Sequence, residues 1–377
     1  MATDAMLPAL GLIAADYDLP DANQAQLVIT VFILGTGLGQ LVAGPLSDAF
    51  GRKTILGGGI LLFFCASIFP LVTDSFTTLL AARFVQGLGI SAPRSVGVAM
   101  VRDISKGRQM ARVMSLAMMI FVVAPALAPI IGQSIMLQFN WRMIFVFVMA
   151  VSLTCFFWLI LRQEETHPVA NRRPFRAAIL WNGFGEVLTN KRVMISMLAV
   201  SMVYATLFSY LSMAQQNFSI WLDAEAKFPI YFAIISLFGA VSNAVNARYV
   251  ERVGMWLIST IALFANFILA LGFGFAIWLN ILPEQWLLTS FIIWSGCFFF
   301  FNVMCFGNLN ALAMEPVGHI AGLAASIVGA TSTTICVIIA IPIGMMFNGT
   351  GLPLIFSTAI LCAVALVINS LNPRNVD

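Results

Sequence analysis

Charge is what this sequence lacks. Asp, Glu, Lys and Arg together supply 9% of its 377 residues, while hydrophobic types supply 60%. A water-soluble domain of this size needs far more charge on its surface, so the solvent is lipid. No polar stretch is long enough to form a separate soluble domain. Histidine occurs only as His167 and His319, each in a loop and neither beside a metal-type or catalytic partner. The six cysteines (Cys65, Cys155, Cys297, Cys305, Cys336, Cys362) fall inside apolar stretches without metal spacing, which leaves them a packing role. No group of His, Asp, Ser or Cys converges as a membrane enzyme would require, so no enzyme chemistry, cofactor or metal is expected. A cleaved leader is not expected either, because apolar stretches recur to the end of the chain.

What is present is a succession of apolar runs. Spans fall at 26–47, 54–73, 76–100, 111–137, 143–162, 193–217, 228–250, 255–280, 285–312, 320–347 and 350–371. Each holds about the 20 residues that cross a hydrocarbon core of about 30 Å. A further apolar stretch, 5–15, is too short to cross alone, yet the topology requires a helix there entering from the cytosol. The expectation is a first helix cut short at its N-terminus, making twelve spans. With 48–53 taken as cytosolic, alternate loops collect Arg52, Lys53, Arg102, Lys106, Arg108, Arg112, Arg162, Arg172, Arg173, Arg176, Lys191, Arg192, Arg248 and Arg252. The opposite loops keep Arg142 and Lys227 among Asp16, Asp18, Asp21, Asp74, Asp223, Glu225 and Glu284. This is the positive-inside pattern, and it makes the basic clusters topology signals rather than a nucleic-acid surface.

The longest cationic loop, 163–192, reads as a cytosolic linker between residues 1–162 and 193–377. The two halves echo each other. Asp48-Ala-Phe-Gly51 has a counterpart in Glu251-Arg-Val-Gly254, and Pro129-Ile-Ile-Gly132 in Pro342-Ile-Gly344.

Several motifs carry chemistry. In Gly39-Gln-Leu-Val-Ala-Gly-Pro-Leu-Ser-Asp-Ala-Phe-Gly-Arg-Lys53 the hairpin is short enough to need Gly51 for its turn. Asp48 can accept from backbone N–H groups at a neighbouring helix end and pair with Arg52 or with Arg102 of the next cytosolic loop. Such a network, with Lys53, could latch the cytosolic side in one state and break in another. Gly35-Thr-Gly-Leu-Gly39 offers a small-residue face for close packing in lipid. Arg83 and Arg94 are the cations that fall well inside the membrane, about 16 Å apart along one helix. A charge there is costly unless it faces protein or water, so each is a functional candidate. In Ala124-Pro-Ala-Leu-Ala-Pro-Ile-Ile-Gly132, Pro125 and Pro129 remove ladder bonds and bend the helix. Aromatic and polar groups of the second half (Tyr204, Phe208, Asn217, Phe298, Asn302) could wall an adaptable pocket.

The 39–53 hairpin resembles the loop between the second and third helices of major facilitator superfamily transporters. Arg83-Phe-Val-Gln-Gly-Leu-Gly89 and the Pro125–Gly132 stretch are similar to that superfamily's antiporter motifs, with Ala124 and Gln133 standing where glycines are usual. Thr3-Asp-Ala-Met-Leu-Pro-Ala-Leu10 resembles the start of Bcr/CflA-type drug:proton antiporters, as do Val101-Arg-Asp-Ile104, Trp141-Arg142 and Glu165-Thr166. The resemblance implies an all-α integral membrane fold of two six-helix bundles around a central cavity. It also implies that Asp4 carries the proton and contacts substrate, and that Arg83 assists. Burial disfavours the charged form of a carboxylate, so such an acid can take and release protons near neutral pH.

The function expected is export of small, largely apolar drugs in exchange for protons, by a monomer in the bacterial inner membrane. A metabolite cargo such as a sugar, amino acid or siderophore is the alternative on the same fold, and a non-transporting receptor is a different class.

Overall fold

The computed structural model describes residues 2–105, 107–172 and 177–372. Lys106, Arg173 and Arg176, counted above among the cytosolic cations, lie outside them, as do the side chains of Arg108 and Arg112. The described residues are helical from end to end, without strands. A 3-10 turn, Asp4–Ala9, leads into α1 (Leu10–Asp16). There follow α2 (Leu27–Phe50), α3 (Arg52–Ala66), α4 (Phe69–Val72), α5 (Phe76–Ile104), α6 (Gly107–Gln138) and α7 (Met143–Arg162). After α8 (Ala177–Thr189) come α9 (Lys191–Gln216), α10 (Phe228–Val253), α11 (Met255–Trp278), α12 (Glu284–Met314), α13 (Ala321–Met345) and α14 (Leu352–Ser370). Among the described residues, nine helices are long and apolar enough to cross a membrane. At 29 residues α5 has the length as well, but it carries Arg83, Arg94, Arg102 and Asp103.

The expected spans match these helices within a few residues, with three differences. The 54–73 run is two helices, because Pro70, near the start of α4, lacks the N–H that would continue the ladder from α3. The 5–15 stretch begins as a 3-10 turn, since Pro8 cannot donate back to Asp4. The linker holds α8, which Gly183 and Gly185 obscured in the sequence. Tertiary packing overrides those glycines: Gly183 lies against Leu323 and Ile327, and Val187 is fully buried with Val193, Met197 and Val317.

One residue joins α2 to α3 and one joins α10 to α11. Gly51 (φ +103°, ψ 148°) and Gly254 (φ +86°, ψ 147°) adopt nearly the same conformation, in a region L side chains rarely enter. The sequence echo is therefore a repeated backbone turn. In the first bundle α5 packs against α2 and α3, so tightly that a methyl group on Gly35 would collide with the Phe84 carbonyl. In the second bundle α9 packs on α12, α13 and α14, and α11 on α12 and α14. The halves meet where α2 lies along α13 and α6 along α10.

Candidate functional site

Two motifs far apart in sequence converge on the segment that holds Asp4. Arg83, 1% exposed, projects from α5 toward α2 and the chain start. Its Nε donates to the Val28 carbonyl at 2.9 Å, Nη1 to Gln86 Oε1 at 2.8 Å and Nη2 to the Ala2 carbonyl at 3.3 Å. The guanidinium carbon stands 4.3 Å from the Phe32 ring centroid. Gln86 is held in turn by donating to Ser67 Oγ at 2.8 Å. Among the described residues this buried cation is thus met by carbonyls, an amide oxygen and a ring face. From the other side α6 presses on the same segment. A methyl group on Gly132 would lie 3.2 Å from Ala5 Cα and collide with its carbonyl. Asp4, half-buried, sits between these two contacts along the chain. Pro129 is buried and Pro125 half-buried in the same stretch of α6.

Beyond α1 the first helix is pinned at its far end. Trp141 Nε1 donates to Asp16 Oδ2 at 3.1 Å, Arg142 forms an ion pair with the same oxygen, and the Tyr17 hydroxyl donates to the Thr73 carbonyl at 2.9 Å. Partial burial raises the Tyr17 phenol above its ordinary value, opposed by the neighbouring Arg142.

The 48–53 hairpin forms a network that contains the expected Asp48–Arg52 pair and adds partners that were not expected. Arg52 Nη1 lies 2.5 Å from Asp48 Oδ1 and 2.6 Å from Ser47 Oγ, and its Nε lies 3.2 Å from Asp103 Oδ2. Arg102 is not the partner of Asp48. Neighbouring residues on a helix point about 100° apart, so when Asp103 faces Arg52 its neighbour faces outward, exposed. Nor does Asp48 cap a neighbouring helix end, since its partner among the described residues is Arg52. The anion at a helix start is Glu165 instead. Its two oxygens accept the backbone N–H groups of Arg52 and Lys53 at 2.9 and 3.2 Å, a charge-favoured position at the N-terminus of α3. Lys53 Nζ donates to the Ile160 carbonyl at 3.0 Å, so it ties α3 to α7. Glu165 and Asp103 were visible in the sequence only as parts of family-like strings.

At the boundary between halves, Asn23 and Gln26 meet α9 and α13. Gln26 Nε2 donates to Gln216 Oε1 at 2.6 Å and to the Gly344 carbonyl at 3.0 Å. Gln216 Nε2 donates to Asn23 Oδ1 at 2.8 Å, and Asn23 Nδ2 to the Phe347 carbonyl at 3.1 Å. The expected pocket residues divide. Tyr204 stacks on Phe208 and tilts against Phe306, with centroids 5.7 and 4.5 Å away. Asn302 reaches Thr206 Oγ1 at 2.7 Å and ties α12 to α9. Phe298 (1% exposed) stacks on Tyr210, and Asn217 (0%) donates to the Met213 carbonyl at 2.8 Å. Both are core of the second bundle and line no open surface.

The sequence profile of the Major Facilitator Superfamily matches residues 1–341. A bicyclomycin resistance protein homolog of Haemophilus influenzae is 30% identical over 375 residues, covering 97% of this chain and 90% of its own. Multidrug resistance protein MdtM of Escherichia coli O157:H7 is 28% identical over 67% of this chain and 61% of its own. Among solved structures, a D-xylose–proton symporter superposes with a TM-score of 0.75 at 13% identity, covering 99% of this chain and 94% of its own.

Proposed function

Because the chain belongs to the major facilitator superfamily, and is a multi-pass membrane transporter of small molecules rather than an enzyme, we propose that it exports small, largely apolar drugs or toxic compounds across the bacterial inner membrane in exchange for protons. The names of its relatives, bicyclomycin and multidrug resistance proteins, support a drug cargo. The observation that carries the coupling is the grip on the Asp4 segment, by Arg83 at the Ala2 carbonyl and by Gly132 at Ala5.

Asp4 carries the proton. A neutral carboxyl tolerates burial better than a carboxylate does. Rocking of residues 1–162 against 193–377 exposes the acid to each side in turn, so that proton uptake and cargo release take place on one side and their reverse on the other. Arg83 holds the backbone of that segment and sets a positive potential beside it. Gly51, Arg52, Lys53 and Asp48 keep the cytosolic ends of α2, α3 and α5 together as one body during the motion.

The test is flux in everted membrane vesicles energised by a proton gradient. Asp4→Asn should insert normally and lose gradient-driven drug accumulation, while Asp4→Glu keeps a measurable part. Full accumulation by Asp4→Asn would remove Asp4 from the coupling.

A further inference from the structure

Arg94 is the second cation inside the membrane, and its surroundings differ from those of Arg83. It lies on α5 about 15 Å short of the cytosolic end at Ile104, yet its side chain is exposed. Its Nη2 donates to the Tyr204 hydroxyl at 3.2 Å. Because α5 belongs to the first bundle and α9 to the second, the guanidinium faces the boundary between bundles, not lipid. Among the described residues no carboxylate pairs with it. An intramembrane charge that is exposed, unpaired and turned toward the opposite bundle has no structural need to be charged.

Tyr204 completes the arrangement. Its ring is 8% exposed and lies against Phe208 and Phe306. Its oxygen accepts from Arg94, and among the described residues its own O–H donates to nothing, so that hydrogen is available to a ligand. One bond occupies one of five guanidinium N–H groups, and the fork suits a planar anion.

We propose that Arg94 and Tyr204 form an anion-accepting subsite between the bundles, and that the cargo is an aromatic or apolar body bearing a carboxylate or similar anion. The anion docks on the Arg94 fork and the Tyr204 hydroxyl, and the apolar body lies along Phe208 and Phe306. The proposal rests on the transport reading above and names its substrate class. A lipid phosphate has the same chemistry as a cargo anion, and the experiment separates the two.

Purified full-length protein in non-ionic detergent is titrated with aromatic carboxylates and their matched amides, benzoate and benzamide through naphthalene-1-carboxylate and its amide. Intrinsic tryptophan fluorescence or calorimetry reads the binding. At least one carboxylate should bind about tenfold tighter than its amide, the worth of one charge-assisted contact. Arg94→Gln should abolish the preference while leaving amide affinity in place, which also shows that the variant is folded. Tyr204→Phe should reduce the preference severalfold and serves should Arg94→Gln not fold. No preference in the wild type, or a preference surviving in Arg94→Gln, overturns the subsite. Competition by phosphatidylglycerol in the wild type but not in Arg94→Gln assigns the position to lipid and overturns the cargo role. Loss of proton-driven flux bears on Asp4 and leaves this binding difference untouched, so the two proposals fail separately.

Discussion

The Glu165 carboxylate, from the loop after α7, accepts the backbone N–H of Arg52, 113 residues earlier, at 2.9 Å. Its second oxygen takes the next N–H, that of Lys53. Two of the free donors that open α3 are thereby satisfied by one anion. Glu165→Ala should cost about 1 kcal/mol of stability, the usual worth of a cap with favourable charge, and Glu165→Gln less. Thermal unfolding of the purified variants checks this. An unchanged midpoint for Glu165→Ala would mean that the cap contributes nothing.

Gly51 and Gly254 provide a matched pair. Both have positive φ, but a methyl group on Gly51 would collide with Glu165 and lie 2.7 Å from an Arg172 nitrogen, whereas nothing lies within 4 Å at Gly254. Gly254→Ala should cost only the backbone penalty, about 1–3 kcal/mol. Gly51→Ala should cost more and should loosen the Glu165 cap. Equal losses for the two would place the whole effect in the backbone and none in the hairpin network.

Gln216 bridges Gln26 and Asn23 at the predicted periplasmic end. Gln216→Leu removes two hydrogen bonds between the halves, one buried and one partly buried, about 1–2 kcal/mol together. The open state should then be populated roughly 5–30 times more often. A cysteine replacing Ser212, which is fully buried and whose hydroxyl has no partner, reports the opening. Its labelling by a membrane-impermeant maleimide from outside should speed up by that factor in Gln216→Leu. An unaltered rate would show that these bonds do not seal the halves.

Much of the fold was legible because the bilayer imposes a local rule. Any run long and apolar enough must become a helix that satisfies its own backbone, so α2, α7, α9 and α11 could be marked out without knowing their neighbours. The Gly51 and Gly254 turns were readable for a similar reason, since one residue between two helices must bear the whole reversal. The α8 helix was hidden because its stability comes from Leu323 and Ile327, far along the chain. The hairpin partners were half legible. The Asp48–Arg52 pair is local, four residues apart, but the choice of Asp103 over Arg102 depends on how α5 is rotated against α3.

The sequence by itself determined which segments are apolar and long enough to lie in lipid, and it set the expectation of which ends face the cytosol and which charges are costly there. Tertiary structure decided who meets whom: Arg83 with the Ala2 carbonyl, Gly132 with Ala5, Arg94 with Tyr204. Insertion energy adds up residue by residue along each run, so it can be read in order. Partner choice depends on the rotation and tilt of helices a hundred residues apart, and only their mutual packing fixes those angles.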